Sequence, residues 1–172
     1  MAVGMTEPHA GTDVPNYKTN TVIKGDKAVV NGVKTLISKV DEADWFVVFT
    51  RINGTPGRDG IGAVLVNRNT PGFEVTARYH TMGGEFLGEI QFNNVEVPLE
   101  NVILREGAFK KLLSAFNTQR CLNPSVSLGM AEAAFEEAIS YVRERTIRGN
   151  PVSEFQGIQW KLAEMYRDIE AG

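Results

Sequence analysis

Apolar and polar positions along this chain fall into two textures. Up to about residue 104 they alternate over short spans broken by turn residues. Thr21–Lys24 and Ala28–Val30 flank Gly25-Asp26-Lys27, a pattern that predicts two strands and a hairpin. Asn31-Gly32 reads as a second turn ahead of a strand over Val33–Ser38. Two apolar runs follow, Trp45–Phe49 and Ile61–Val66, separated by Asn53–Gly60, whose composition predicts a flexible loop. Phe73–Tyr79 and Glu89–Phe92 alternate with period two, and Pro98 closes the region. Many short strands with frequent turns predict an antiparallel β barrel or sandwich.

From about Gly107 the period lengthens. Phe109, Leu112, Leu113 and Phe116 recur at helical spacing, and Leu128, Ala131, Ala134, Phe135, Ala138, Ile139 and Val142 continue it beyond Pro124. Asn123-Pro124 predicts a kink or break. Arg148-Gly149-Asn150-Pro151 predicts that this helix ends on a glycine stop. Ser153 followed by Gln156 has capping-box spacing. It predicts a last helix with Phe155, Ile158, Leu162, Met165 and Ile169 on one side. Two helices bury little alone, so their apolar faces, at Ala131, Phe135, Phe155 and Leu162 among others, require further helices or a partner chain. The fold class is therefore α+β. An antiparallel barrel or sandwich over residues 1–104 precedes the first helices of a bundle over residues 105–172.

Composition narrows the function classes. The 172 residues, 42% hydrophobic and 23% charged, suit one ordinary domain or two small ones sharing a core. A net charge of −3 leaves no nucleic-acid footprint. Neither apolar run approaches the ~20 residues of a membrane span. No basic stretch leading into an apolar one opens the chain, so no secretion signal is read. Cys121 is the single cysteine and cannot close an internal disulfide; it reads as a buried thiol on an apolar helix. Trp45 and Trp160 read as core aromatics. His9 and His80 show no metal-ligand spacing. The chemistry concentrates in Met5-Thr6-Glu7-Pro8-His9-Ala10-Gly11-Thr12-Asp13-Val14, ahead of the first predicted strand. A loop so rich in small and hydroxyl residues presents backbone N–H groups and hydroxyls to a ligand.

That loop does not stand alone. With Val30–Ser38, Phe92–Pro98, Arg143-Glu144-Arg145 through Gly149, Glu154-Phe155-Gln156 and Leu162-Ala163-Glu164-Met165, it resembles the acyl-CoA dehydrogenase family. These are flavoproteins that desaturate acyl-CoA thioesters between the α and β carbons. The segments occur in the family's order and spacing over nearly the whole chain. The resemblance implies a fragment comprising the middle β domain and the first part of the C-terminal helical domain. The family's N-terminal domain, and the later helical region that usually carries its catalytic glutamate, lie outside it. Some relatives place the base on the first helix after the β domain, just before an arginine. Here that position is Gln119, before Arg120, and an amide cannot serve as a general base. No catalytic residue is assigned, and the chain is expected to be inactive by itself.

The implied cofactor is FAD. By resemblance, Met5 and Thr6 line the isoalloxazine, with Thr6 donating toward its pyrimidine side. Thr12 contacts the flavin or the thioester arm. Leu36 covers the ring where the family often has an aromatic, and Ser38 hydrogen-bonds near N5. Phe116, Asn117 and Arg120 border the acyl-CoA channel, as does Thr12. Arg145 and Gln156 reach the FAD of a neighbouring subunit, a guanidinium being suited to a pyrophosphate. Glu7 belongs to the loop motif and receives no role of its own. The implied partners are an acyl-CoA substrate, an electron-transfer flavoprotein or similar acceptor, and further copies of the chain through its helices. No metal, nucleic acid or membrane is implied. The implied compartment is the cytoplasm, or the mitochondrial matrix in a eukaryote. Two rival readings remain: an acyl-CoA oxidase or flavin monooxygenase on the same scaffold, and a non-catalytic split or assembly subunit, which Gln119 supports.

Overall fold

Period-two alternation resolves into an eight-stranded sheet. The computed structural model describes Met1–Gly172. Its strands are β1 (Ala2–Gly4), β2 (Asn20–Lys24), β3 (Lys27–Ser38), β4 (Trp45–Ile52), β5 (Ile61–Asn67), β6 (Phe73–His80), β7 (Phe86–Pro98) and β8 (Val102–Leu104). The spatial order is β6-β7-β3-β2-β4-β5-β8, with β1 added on β4. Most pairs are antiparallel. Two are parallel, β1 with β4 and β2 with β4, which makes the sheet mixed. Its path does not close, so of the two predicted forms the sandwich fits and the barrel does not. A short helix, α1 (Phe109–Ser114), ends this unit, which spans Met1–Ser114. One core runs through it, built from Val30, Ile37, Phe46, Val48, Ile52, Val64, Val66, Ile90, Phe92 and Val95, among others.

Two bulges explain why the strands are longer than the alternation suggests. On β7 the inward residues are Gly88, Ile90 and Phe92, then Val95 and Val97. The phase flips because Asn93 and Asn94 add a residue opposite β3. Asn94 takes a positive φ of 50°, and it and Asn31 bond each other through their side-chain amides and the Asn94 N–H. On β3 the flip comes at Thr35 and Leu36, between the pairs Lys34–Ile90 and Ile37–Gly88. An added residue reverses which face every later side chain takes.

Several local expectations are corrected. Asn31-Gly32 is not a turn but lies inside β3. Gly32 has φ +143°, and a Cβ there would sit 2.5 Å from the Thr19 Cα. The glycine thus marks a close approach of two backbones within a strand. A strand, β1, precedes the Met5–Val14 loop; three residues are too few for periodicity to reveal. Trp45 is 39% exposed and is not a core residue.

The second unit, Ala115–Gly172, contains α2 (Asn117–Glu144), a hairpin of β9 (Thr146–Ile147) and β10 (Asn150–Pro151), and α3 (Gln156–Ala171). Helix α2 runs through Pro124 without ending. The missing proline N–H removes one rung of the ladder. Beside it, the Ser125 and Ser127 hydroxyls donate to the carbonyls of Cys121 and Asn123. The interruption falls earlier, between α1 and α2. Gly149 does not stop the helix, which ends at Glu144; Arg148 and Gly149, both at positive φ, form the two-residue turn of the hairpin. The Ser153 capping box does not form. Phe155 is the N-cap of α3, and Ser153 instead accepts from Gln159 Nε2 through its carbonyl. Cys121 and Trp160 are exposed, contrary to expectation. Neither long helix buries a residue in this unit, so their apolar stripes have too little to pack on. Ala131 and Phe155 are exposed, and Phe135 and Leu162 are half-buried. No helix is long and apolar enough to cross a membrane.

Substitution Gly32→Ala is expected to destabilise the chain by roughly 2–4 kcal/mol, because the methyl meets the Thr19 backbone. Urea unfolding checks this; an unchanged midpoint rejects the close approach.

Candidate functional site

The Met5–Val14 loop leaves β1 and folds on itself at Pro8-His9. Glu7 and Ala10 bond each other through both backbone groups, at 2.9 and 3.1 Å. The Glu7 side chain turns inward and is almost fully buried. Its carboxylate accepts from the backbone N–H of Lys18 at 2.7 Å and of Thr19 at 3.0 Å. It also accepts from Lys34 Nζ at 2.8 Å. Lys34 lies on the inward phase of β3, completely buried. Its ammonium donates a further bond to the Met5 carbonyl at 2.9 Å and sits 3.7 Å over the Tyr17 ring. From the other side, Arg51 on β4 donates to the carbonyls of Pro15, Tyr17, Thr55 and Gly57.

Burial alone would raise the Glu7 pKa. The Lys34 hydrogen bond and charge, with the Lys18 amide and Thr19, outweigh it and hold the carboxyl below its ordinary 4.5. Burial pushes Lys34 down to about 8, despite the opposing pull of Glu7. Both groups are therefore charged at pH 7. The Tyr17 hydroxyl is buried without a partner, and burial followed by the Glu7 charge pushes it up to about 12.

This cluster sets where the expected site residues stand. The Thr6 carbonyl accepts from the Thr35 N–H at 2.8 Å, laying the loop along β3 at its bulge. Met5 and Thr6 are half-buried there. Next to Thr35, Leu36 is held at φ +57° and is 51% exposed. Left-handed backbone is uncommon for a residue other than glycine. Ser38 is exposed two residues on, and Ile37 between them is buried, so Leu36 and Ser38 share the outer face of β3. Ser38 also borders a groove of about 410 Å³ with Asp41, Glu42 and Phe86. The structure thus fastens the Met5–Thr6 segment beside Thr35, where β3 turns Leu36 and Ser38 outward. Thr12 is exposed on the later limb of the loop.

The remaining expected residues belong to the second unit. Phe116, Asn117 and Arg120 stand at the start of α2, where Arg120 Nη1 donates to Asn117 Oδ1 at 3.0 Å. Arg145 caps the other end of α2, and Gln156 opens α3 beyond the hairpin; both are exposed. The 28 residues of α2 separate the two groups by roughly 40 Å. Sequence reasoning missed Lys34 altogether. The signal was a lysine at the position where the β3 alternation demands an inward side chain.

Comparison with known proteins follows this division. Residues 2–95 match the family described as acyl-CoA dehydrogenase, middle domain, and residues 109–172 match its C-terminal domain. The chain is 37% identical to an acyl-CoA dehydrogenase of Bacillus subtilis, over 99% of its own length and 46% of that protein's. It resembles the structure of butyryl-CoA dehydrogenase from Megasphaera elsdenii at a TM-score of 0.92 and 35% identity, covering 99% of this chain and 45% of that one. It also resembles a chain in a structure of the electron transferring flavoprotein of Acidaminococcus fermentans, at a TM-score of 0.91 and 38% identity, covering 99% and 46%. The chain spans about half the length of these relatives.

Two outcomes follow from the buried pair. Lys34→Met leaves Glu7 buried without its counter-charge and is expected to lose about 3–5 kcal/mol in urea unfolding. Adding Glu7→Gln is expected to recover part of that loss. With pH, the Glu7 contribution is fully present above about 4.5 and is lost as pH falls through its lowered folded value. Lys34 acts oppositely: its burial penalty is present below pH 8 and is relieved as pH rises toward 10.5. An acid limb in the stability profile that Glu7→Gln leaves unchanged refutes the first assignment.

Proposed function

The chain belongs to the acyl-CoA dehydrogenase family, and from that premise we propose that it is part of an FAD-dependent enzyme that desaturates an acyl-CoA thioester between its α and β carbons. Residues 1–104 are its middle β domain and residues 105–172 the leading C-terminal helices. The observation that carries this reading is the Met5–Thr6 segment fastened beside the β3 bulge that turns Leu36 and Ser38 outward. The Thr35 N–H bond to Thr6 sets the loop against the β3 bulge.

These residues fit a flavin by their chemistry. Exposed Leu36 and half-buried Met5 offer apolar contact to a flat ring. Thr6 and Ser38 offer hydroxyl donors to its polar edge. When bound, the flavin supplies the redox chemistry by accepting hydride from the β carbon. The protein's part is to place that ring and to favour charge on it. Thr6 would donate toward the pyrimidine side and Ser38 near N5, where donors stabilise negative charge. Thr12 faces the flavin or the thioester arm. On the helices, Phe116, Asn117 and Arg120 border the acyl-CoA channel. Arg145 and Gln156 reach the FAD of a second copy, which makes the whole protein a homo-oligomer. The base comes from outside residues 1–172, since Gln119 is an amide. The electron acceptor is an electron-transfer flavoprotein or a similar carrier, and the compartment is the cytoplasm, or the mitochondrial matrix in a eukaryote. The similarity to an acyl-CoA dehydrogenase and to butyryl-CoA dehydrogenase supports the reaction class.

The test is made on the full-length protein. Bound flavin and acyl-CoA-dependent reduction of a dye are expected, with Thr6→Ala and Ser38→Ala each lowering kcat by about 10- to 100-fold, the worth of one hydrogen bond to a charged group. Full-length protein with neither flavin nor acyl-CoA oxidation overturns the proposal. The 172-residue chain by itself is expected to show no turnover with any acyl-CoA and dye; turnover by it shows that a base lies within residues 1–172.

A further inference from the structure

The Glu7–Lys34 pair holds more than the core. Lys34 Nζ reaches two targets, the Glu7 carboxylate and the Met5 carbonyl. Glu7 in turn ties together three segments: its own turn to Ala10, the entry to β2 at Lys18 and Thr19, and β3 at Lys34. The next backbone bond along β3, Thr35 N–H to the Thr6 carbonyl, fastens the loop. The residue after that, Leu36, is the one at positive φ. Met5 and Thr6 on one side and Leu36 on the other are thus set by one buried charge pair, which does not itself face outward.

We propose that Glu7 and Lys34 are positioning residues for the flavin wall, holding the Met5–Thr6 peptide against the β3 bulge so that Thr6, Leu36 and Ser38 present one binding surface. This inference rests on the reading of that wall as a flavin site. Its physical basis is the two-pronged ammonium. A hydrophobic replacement of similar length can fill the space under Tyr17, but it offers no donor to the Met5 carbonyl. The loop then loses its Lys34 tie to β3, leaving only the Thr35 bond to Thr6, even where the unfolding free energy is recovered. Stability and site geometry are separable here, because the first depends on leaving no unpaired buried charge. The second depends on the bond from Lys34 to Met5.

The experiment compares wild type, Lys34→Met, Glu7→Gln and the double variant Glu7→Gln/Lys34→Met in the full-length protein. Unfolding, amide hydrogen exchange in the apoprotein, FAD affinity and steady-state kinetics are read on each. The double variant is expected to be more stable than Lys34→Met. It is nevertheless expected to exchange the Thr35 amide at least about 10-fold faster than wild type, to bind FAD about 10-fold more weakly, and to lose about 10- to 100-fold in kcat with KM for acyl-CoA little changed. If Lys34→Met does not fold, the double variant is read against Glu7→Gln, which keeps the Lys34 bond to Met5 and is expected to hold Thr35 protection and FAD affinity closer to wild type. A double variant with wild-type Thr35 protection and FAD affinity overturns the positioning role while leaving the proposed function standing. Wild-type full-length protein that binds no flavin overturns both.

Discussion

The first unit depends on one constraint: two charges buried together where the chain doubles back. A carboxylate and an ammonium out of water are each expensive, and their attraction repays the expense only if their remaining hydrogen-bonding capacity is used. Here it is used. Glu7 receives two backbone N–H groups besides Lys34, and Lys34 gives one bond to a carbonyl and lies over an aromatic face. The pair therefore specifies register as much as it stabilises. Sliding β3 by one residue would point Lys34 outward and leave Glu7 unpaired in the interior. This gives a physical reason for an acidic residue in a loop of small ones, and for a lysine on an inward strand position.

Bulges carry the consequence outward. β3 arrives at Lys34 with even-numbered residues inside and leaves with Ile37 inside. The reversal puts Leu36 and Ser38 on the outer face, beside the loop that Lys34 has drawn in. The same device on β7, at Asn93 and Asn94, keeps Val95 and Val97 in the core after Phe92. Strain at Leu36 is tolerated because bonded partners fix the chain on both sides of it. Backbone outliers of this kind cluster where a surface has to be shaped for a ligand.

The helical unit follows another logic. Helices α2 and α3 touch through Phe135 and Tyr166, with ring centroids 5.9 Å apart. They leave an apolar groove bordered by Leu128, Ala131, Phe135, Met165 and Ile169. Nothing in this unit fills it. An amphipathic helix gains most of its stability from covering one face. The length of the relatives, about twice that of this chain, agrees with helices that need more protein around them.

Much of this was legible in the residues. Alternation located β6 and the middle of β7, and helical spacing located α2 and α3, because burying one face imposes a period on any chain. Apolar runs located β4 and β5, and a turn signal located β2. The loop motif and the Val30–Ser38 segment marked Met5, Thr6, Leu36 and Ser38 as candidates, and the fold fastens the Met5–Thr6 segment to β3 at Thr35. What sequence alone misread was local punctuation. Gly32 looked like a turn, Pro124 like a break and Gly149 like a stop, because such residues permit several conformations and tertiary packing selects one. Trp45, Trp160 and Cys121 looked buried because their types usually are. The sequence by itself determined most of the longer elements and the family, since both rest on the kinds and spacing of residues along the chain. Only the tertiary structure decided that Glu7 meets Lys34 across 27 residues, that β3 and β7 change face, and that the loop is fastened to β3 at Thr35. Those facts arise from contacts between distant segments, where burial of charge and closeness of backbones, rather than local preference, choose the conformation.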